Sequence, residues 1–369
     1  MRDRSLARAR LVSQGLPCPG YATPHQAVAS FGAMQGQDLP GVVASATLRV
    51  SGGVATEVLH AFDRGELVRG YPMRGTVFLT AAEDLAWMSQ LCAGQAIQAA
   101  RRRRDQLGLD ERQVERASSV ARSALDQRLG RISRADLYSA WQEAGLSTGE
   151  GRGYHLLYHL IATVGLCYGP WNGAEQDIVA APSWLPAGST LEARFNGDRI
   201  AATAELLRRY LTSRGPATLR DFAWWTKLPL REIRAALATI SAEVELADPF
   251  SKQPGAEPRY QRPGLSDEVS ALVKEAARPL LLPGFDEFIL GYPDRLFAMS
   301  EKVHQRLVPG NNGVFQRSVV IGGEVRALWR RLGQPHRRQL AVEAPERPLS
   351  KAHTAAVERL FTRFPFVAA

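Results

Sequence analysis

The sequence predicts an α+β fold in which three modules, each of helices followed by a β-hairpin, precede a β-rich C-terminal part. Two observations lead to this prediction. Capped amphipathic helices followed by a hairpin recur three times along the 369 residues, in pattern rather than in identical letters. After Pro279, short β-rich segments replace the helical periodicity. Helices followed by a β-wing are typical of winged-helix modules, so we expect three of them in tandem.

The composition is that of a globular protein with a basic surface. Hydrophobic residues make up 45% and charged residues 22% of the chain. The 46 lysines and arginines exceed the 37 acidic residues and give a formal net charge of +9. Arginine supplies most of this charge, and the guanidinium group suits contacts with phosphates. The composition therefore favours a polyanionic partner.

Cysteine usage and hydropathy indicate the compartment. The three cysteines, Cys18, Cys92 and Cys167, are far apart and outside any CxxC spacing, which argues against a disulfide framework or a cysteine-rich zinc site. Residues 1–6 are charged with no apolar segment behind them, and no run is long enough to span a bilayer. We expect a cytoplasmic protein that is neither secreted nor inserted in a membrane.

The first module is predicted over residues 1–80. Its elements are helices over residues 5–14, 24–36 and 39–50 and a basic hairpin over residues 66–80. Thr23 is placed to cap the second helix, and its apolar stripe extends to Met34. Gly36 is expected to end that helix in a left-handed turn, and Asp38 to cap the third.

A helical connector is predicted over residues 81–130, and the second module over residues 131–195. The second module contains helices over residues 134–145 and 152–164 and a hairpin over residues 166–181 that turns at Asn172-Gly173. In the connector, the arginines from Arg101 to Arg104 point around all sides of a helix, which favours a solvated face over a phosphate clamp. His155 and His159 are one helical turn apart, but without a nearby carboxylate this spacing favours packing over a zinc site.

The third module is predicted over residues 196–265, and the β-rich C-terminal domain with a final helix over residues 266–369. The predicted elements of the third module are helices over residues 200–213, 219–226 and 230–240 and a wing from residues 244–246 and 259–262. Those of the C-terminal domain are a β-segment over residues 280–288, a hairpin of residues 314–321 and 324–330 that turns at Gly322-Gly323, and a helix over residues 350–363. Trp224 and Trp225 are interpreted as core residues rather than a base-stacking platform, because such platforms usually lie on strands or loops.

The chemistry-bearing stretch is Gln35-Gly36-Gln37. A left-handed turn at Gly36 would let the two amides converge and hold a water; the alternative is an ordinary polar helix terminus. Signatures for a nucleophile elbow, a Walker A loop, a zinc protease or dinucleotide binding are absent from the sequence. Asp286 and Glu287 are adjacent on a predicted strand, so they should point to opposite faces.

Six short motifs, in this order and spacing, resemble the AlkZ/YcaQ superfamily of winged-helix DNA glycosylases over nearly the whole chain. They are Gln35-Gly36-Gln37, Met73-Arg74-Gly75-Thr76, Arg208-Arg209-Tyr210-Leu211, Gly215-Pro216-Ala217-Thr218, Phe222-Ala223-Trp224-Trp225 and Leu282-Pro283-Gly284-Phe285-Asp286-Glu287. The resemblance implies that the winged helices and the C-terminal part form a basic DNA-binding cleft. It also implies Gln35 and Gln37 as the catalytic pair, although Gly36 stands where the family commonly has a larger apolar residue.

The expected substrate is duplex DNA that carries an N7-alkylated guanine. Glycoside hydrolysis ordinarily needs one carboxyl group to protonate the leaving group. N7-alkylation makes the base cationic, so a general acid becomes dispensable and two neutral amides that orient a water can suffice. The implied open cleft favours bulky adducts or interstrand cross-links, and self-protection against an alkylating toxin. Asp38 is a fallback base, although a helix cap is the simpler role.

The remaining expectations concern partners. Arg69, Arg74, Arg152 and Arg317 are candidate phosphate contacts, from their positions at wings, at a helix start and in the C-terminal hairpin. We expect a monomer that needs no metal or cofactor. The alternatives are a winged-helix transcriptional regulator, which would read a defined sequence and be indifferent to Gln35 and Gln37, and an architectural binder with salt-dependent affinity and no base release.

Overall fold

The computed structural model describes residues 4–247, 250, 257–311, 313–334 and 337–367. The chain forms two compact units. The first unit comprises Met1–Val58 and Thr203–Ala369, and the second unit comprises Leu59–Ala202. Along the described part of the chain, no helix combines the length and apolar character that crossing a membrane requires.

Helices dominate both units. In chain order they are α1 Arg4–Ser13, α2 Pro24–Phe31, α3 Leu39–Thr47, α4 Ala55–Asp63, α5 Ala82–Cys92, α6 Gly94–Arg101, α7 Arg104–Leu107, α8 Glu111–Asp126, α9 Arg134–Glu143, α10 Arg152–Ala162, α11 Ala181–Trp184, α12 Leu191–Phe195, α13 Arg199–Arg214, α14 Leu219–Thr226, α15 Leu230–Thr239, α16 Leu265–Ala271, α17 Val273–Ala276, α18 Glu287–Leu290, α19 Glu301–Leu307 and α20 Lys351–Thr362. A short 3₁₀ turn, Pro309–Asn311, follows α19.

The strands are short and pair antiparallel. They are β1 Met34–Gln35, β2 Leu67–Met73, β3 Thr76–Ala81, β4 Arg131–Ile132, β5 Leu166–Trp171, β6 Gln176–Ala180, β7 Ala217–Thr218, β8 Glu245–Leu246, β9 Arg259–Gln261, β10 Pro279–Leu282, β11 Arg317–Ile321, β12 Glu324–Leu332 and β13 Gln339–Glu343. In the second unit the order is β3-β2-β5-β6-β4. The first unit contains the sheets β10-β11-β12-β13 and β7-β9-β8.

Each unit has its own apolar core. In the first unit, α1 packs with α19 and the C-terminal sheet around Phe288, Tyr292 and Phe297. In the second unit, α8, α9 and α10 pack around the fully buried Trp141. Trp225 is buried as predicted, whereas Trp224 is only half-buried.

The predicted elements are confirmed at most positions, and the caps explain why. Ser133 accepts a hydrogen bond from Asp136 N at 3.1 Å at the start of α9, and Thr218 with Asp221 forms a capping box for α14. The mixed α+β class, the predicted hairpin of each module and the predicted C-terminal hairpin are present. Helix α4 and the short helices α11, α12 and α16 to α19 were not predicted from the sequence.

The predicted end of α2 is wrong. Thr23 caps the helix as expected, accepting from Gln26 N at 3.2 Å. The helix nevertheless ends at Phe31, because Gly32 adopts a φ of 71° that other residues rarely tolerate. Met34 is buried, but in β1 rather than in the helical stripe. The early stop gives Gln35 an extended backbone instead of a helical one.

The acidic pair of the C-terminal region is also placed differently from the prediction. Asp286 and Glu287 lie at the N-terminal end of α18, not on a strand. Asp286 caps this helix by accepting from Phe288 N at 2.9 Å. Strand β10 ends at Leu282, and Pro283 and Gly284 follow it, which explains why the β-pattern does not continue to Glu287.

Candidate active site

The amides of Gln35 and Gln37 meet, as predicted, but not through the predicted left-handed turn, because Gly36 does not have a positive φ. Gln35 ends β1, and Gln37 lies just before α3. Gln35 Nε2 donates a hydrogen bond to Gln37 Oε1 at 2.5 Å. Gln35 is only 5% exposed, whereas Gln37 is exposed to solvent. The amide pair therefore lies at a boundary between the protein interior and solvent.

One atom of this pair is an unused acceptor. Gln35 Oε1 is buried and has no hydrogen-bond partner among the described residues. A buried carbonyl oxygen without a partner is unfavourable by about 1–3 kcal/mol, so such an atom suggests a site for water or ligand. Gln37 Oε1 accepts one hydrogen bond and keeps a second lone pair. Both amide oxygens therefore have acceptor capacity that the described protein groups do not use.

A buried carboxylate holds the backbone of Gln35. Glu287 Oε1 accepts from Gln35 N at 2.6 Å, and Glu287 Oε2 accepts from the Arg214 guanidinium at 2.7 and 3.1 Å. Arg214 also donates to the carbonyl oxygens of Phe31 and Ala33, at 2.9 and 2.7 Å. One ion pair thus fixes the chain from the end of α2 to Gln35.

A second buried ion pair supports the first. Arg49 binds both oxygens of Asp286 at 3.0 Å, and Ser45 Oγ donates to Asp286 at 2.6 Å. Gln14 Oε1 accepts from Arg49 at 2.6 Å, and Gln14 Nε2 donates to the carbonyl oxygen of Glu287 at 3.3 Å. The network therefore connects α1 and α3 to α18.

The ring of Phe31 contacts the arginines of both buried ion pairs. The guanidinium carbons of Arg49 and Arg214 are each 4.9 Å from its ring centroid, a distance at which cations are attracted to an aromatic face. Both guanidinium groups are fully buried, as are the carboxylates of Asp286 and Glu287. Because such charges are tolerated inside a protein only when paired and hydrogen-bonded, the network can adopt few other geometries.

The lowered pKa of Asp286 makes the stability of the fold depend on pH. Burial raises the pKa of Asp286, but the Arg49 charge and hydrogen bonds from Arg49, Ser45 and Phe288 N outweigh burial and lower it below its ordinary value. A carboxylate with a depressed folded-state pKa stabilises the fold above its unfolded pKa of about 3.9 and loses that contribution as the pH falls toward the folded-state pKa.

We therefore expect the free energy of unfolding to decrease as the pH falls below about 5. Asp286→Asn should be less stable than the wild type at pH 7 and should lose less stability on acidification. Urea unfolding at several pH values measures both effects. Asp126→Asn, at an exposed position, is the matched control and should keep the wild-type slope. An unchanged slope in Asp286→Asn would contradict this role.

Asp38 does not cap α3 with its side chain, contrary to the prediction. Its backbone carbonyl begins the helix by accepting from Val42 N at 2.9 Å, but its carboxylate makes no capping hydrogen bond. The carboxylate lies over Gly41, where an added Cβ would be 2.6 Å from Asp38 Oδ2 and 2.9 Å from the carbonyl oxygen of Gly284. Only a glycine at position 41 allows both groups this close to the helix.

The four predicted phosphate contacts are divided between the units. Arg69, Arg74 and Arg152 lie in the second unit and Arg317 in the first, and all four are partly exposed. Arg69 Nε donates to Gln176 Oε1 at 2.5 Å, so this nitrogen is already used in a hydrogen bond within the protein. A role for these arginines in DNA binding stays a prediction.

The two histidines of α10 are packed into the second unit. His155 and His159 are 6% and 7% exposed. Burial, followed by the nearby charge of Arg104, lowers the pKa of both, that of His159 to about 4, so both are neutral at pH 7. Within the described ranges, no group of three His, Cys, Asp or Glu side chains is arranged to hold a metal ion.

Only three of the four arginines from Arg101 to Arg104 are exposed to solvent. Arg101, Arg102 and Arg103 are exposed. Arg104 is 6% exposed and forms an ion pair with Glu111. The prediction of a fully solvated run is therefore wrong at its last residue, which begins α7 and points inward.

DNA glycosylases are the class of protein that this chain matches. The family model described as DNA glycosylase AlkZ-like matches residues 28–365, and the chain belongs to this family. The solved structure of the Streptomyces sahachiroi DNA glycosylase AlkZ has a similar fold, with a TM-score of 0.69 at 20% sequence identity, over 97% of this chain and 94% of that chain. No curated protein matches the sequence.

The residues that hold the amide pair were not predicted from the sequence. Arg49, Arg214 and Gln14 had no assigned role, and Glu287 was placed on a strand. A usable signal was present for Arg49, because it stands among apolar residues near the end of the helix predicted over residues 39–50. The partner of each charge lies more than 70 residues away in the sequence, so the pairing could not be read from spacing.

Proposed function

We propose that this DNA glycosylase is monofunctional and hydrolyses the N-glycosidic bond of N7-alkylguanine in duplex DNA, with Gln35 and Gln37 as the catalytic pair. The proposed substrates are bulky adducts or interstrand cross-links. The proposed role is DNA repair that protects a cell from an alkylating genotoxin. The observation that carries this proposal is the contact between the two amides beside the unpartnered Gln35 Oε1.

The chemistry follows from the charge of the leaving group. An N7-alkylated guanine carries a positive charge, and cleavage of its bond to C1′ releases a neutral base without prior protonation. An oxocarbenium-like state develops on the sugar as this bond lengthens. Oriented carbonyl dipoles stabilise that positive charge, and they need no reorganisation when they are held in place beforehand.

The two glutamines have complementary tasks in this proposal. Gln35 Oε1, in its buried position, accepts one proton of the attacking water, and Gln37 Oε1 accepts the other with its free lone pair. The water oxygen then presents a lone pair to C1′. The pair acts by positioning and electrostatics rather than as a strong base. Asp38 remains the proposed fallback acceptor for the proton that the water loses.

The mode of DNA binding is a further part of the proposal. The three sets of helices and hairpins act as winged helices that contact duplex DNA through a basic cleft. An enzyme that reaches the lesion within the duplex can act on adducts too bulky to be flipped into a pocket. The protein is proposed to work as a cytoplasmic monomer. No specific observation favours the alternative of a non-catalytic regulator.

A substrate panel tests the proposed function. Duplexes carrying N7-methylguanine, a bulky N7-guanine monoadduct or an N7–N7 interstrand cross-link are incubated with excess enzyme, and free modified base and abasic sites are measured. We expect release from all three and the largest advantage over spontaneous depurination for the bulky lesions. Absence of release from every N7 adduct would contradict the proposal, and release of the methyl lesion alone would contradict the preference for bulky lesions.

Arg317 offers a test of phosphate binding. It lies on β11 with its guanidinium 5.3 Å from the Trp329 ring centroid, which limits its freedom without neutralising its charge. If it contacts one phosphate, Arg317→Gln should weaken binding to undamaged duplex and reduce the slope of log K against log salt by about 1. Fluorescence anisotropy at several salt concentrations measures the slope. Arg326→Gln is the control, because Arg326 lies near Glu324 at 3.9 Å and should leave the slope unchanged.

A further inference from the structure

The second unit contains a cavity whose lining includes none of the residues of the site around Gln35. Its volume is about 340 Å³, at the lower end of the range for small-ligand pockets. It lies between the β2–β3 turn, α6 and the start of α10, and its lining includes Arg74, Arg103, His155 and Tyr154. The three alanines Ala96, Ala99 and Ala100 form an apolar wall.

A buried polar atom of the lining lacks a partner. His155 is 6% exposed, and its Nε2 atom makes no hydrogen bond in the described part of the chain. A buried ring nitrogen without a partner is unfavourable, so its position in a cavity wall suggests a ligand. Burial and the charges of Arg104 and Arg103 lower the pKa of His155, so the ring is neutral without ligand.

The charge of the cavity selects an anion. Arg74 and Arg103 both line it, and none of the lining residues that the structure describes is acidic. Arginine forms paired hydrogen bonds with phosphate oxygens. An anion between these groups and His155 would also favour protonation of the imidazole and so give Nε2 a partner.

An aromatic residue of the cavity lining suits a flat group. Tyr154 is 58% exposed, so its ring is accessible to a ligand. Its ring lies 6.5 Å from that of Tyr158 at an interplanar angle of 25°, which keeps it in a defined orientation. Exposed aromatic rings stack on nucleobases, and Tyr154, although helical, lies in the first turn of α10, next to the loop that precedes the helix. The alanine wall of α6 leaves space for a planar ring.

We propose that this cavity is a nucleotide-binding site that takes the phosphate of one nucleotide between Arg74, Arg103 and His155 and its base against Tyr154. The ligand is a 2′-deoxynucleoside monophosphate unit, either free or at a single-stranded position in DNA. The site is additional to the proposed base release at Gln35 and Gln37 and does not depend on it.

Nuclear magnetic resonance of the full chain, labelled at the histidine rings, tests the site. The His155 signals are assigned with His155→Gln, and the probes are 2′-deoxyadenosine 5′-monophosphate, 2′-deoxyadenosine, inorganic phosphate and a five-nucleotide single strand. We expect the monophosphate to shift the His155 signals saturably. The nucleoside and the phosphate alone should each bind at least about tenfold more weakly, because each lacks half of the contacts.

Variants distinguish binding of the monophosphate in this cavity from its general electrostatic attraction to the basic protein. Arg103→Gln and Tyr154→Ala should each weaken monophosphate binding about tenfold or more, while Arg102→Gln, an exposed neighbour outside the lining, should leave it unchanged. Tighter binding of the oligonucleotide than of the monophosphate identifies DNA as the source, and equal or weaker binding identifies a free nucleotide.

Three results would overturn the proposal. They are unshifted His155 signals at millimolar monophosphate, inorganic phosphate binding as tightly as the monophosphate, and equal effects of Arg102→Gln and Arg103→Gln. The combined variant Gln35→Ala and Gln37→Ala should bind the monophosphate like the wild type. Loss of base release and loss of nucleotide binding can therefore be observed independently.

Discussion

Replacing Gln35 and Gln37 together with alanine is expected to lower the single-turnover rate of N7-alkylguanine release at least about 10²-fold, the typical effect of removing one preorganised polar group from a reacting centre. The variant loses both carbonyl oxygens that hold the proposed water. Binding to undamaged duplex should change little, because neither side chain is charged. Quantifying free base with enzyme in excess measures the chemical step without product release.

Two further variants make this prediction specific. Gln26→Ala removes an exposed amide at the start of α2 and should retain the wild-type rate. Gln37→Glu keeps an oxygen that can accept from Gln35 Nε2 and should stay within about tenfold of the wild type, since its size is unchanged and its acceptor capacity is retained. A double-alanine variant that releases base at the wild-type rate would show that the amides are not the catalyst.

Glu287→Gln is expected to reduce the free energy of unfolding by about 3–5 kcal/mol, because it leaves the buried Arg214 guanidinium without its counter-charge. It should also slow base release in the fraction that folds, since Glu287 holds the backbone of Gln35. Urea unfolding gives the first quantity. Glu66→Gln is the matched control, because the exposed Arg64–Glu66 pair should contribute only about 0–1 kcal/mol.

A paired replacement distinguishes two roles of Glu287, which are stabilising the fold and positioning the backbone of Gln35. Arg214→Met combined with Glu287→Met removes both buried charges, and replacing a buried pair by apolar residues is often neutral for stability. This variant should therefore be more stable than Glu287→Gln, yet it should still release base slowly because Gln35 N has lost its acceptor. Wild-type base release in the stable double variant would show that Glu287 has no positioning role.

The local signals in the sequence predicted much of the fold. Caps such as Thr23 and Ser133 and turns such as Asn172-Gly173 act over three or four residues, and the structure contains their helices and hairpins. The end of α2 was mispredicted because two glycines, Gly32 and Gly36, could each stop the helix. Propensity alone does not choose between them.

The proximity of the proposed catalytic pair could be predicted from the sequence, but the residues that hold the pair in place could not. The amides of Gln35 and Gln37 are two residues apart, so their contact depends on local geometry. The hydrogen bond from Gln35 N to Glu287 joins positions 252 residues apart and forms only in the folded chain. A single sequence contains no signal for such a pairing, since either carboxylate of the acidic pair could serve either buried arginine.

The most direct test of the central claim compares two leaving groups of the same shape and different charge. One duplex carries N7-methylguanine, which is cationic, and the other carries 7-methyl-7-deazaguanine, in which carbon replaces the charged nitrogen. If two neutral amides suffice because the base departs as a cation, the enzyme should release the first and leave the second intact while binding both duplexes. Release of the neutral base at a comparable rate would contradict the account, because that reaction would need an acid that Gln35 and Gln37 cannot provide.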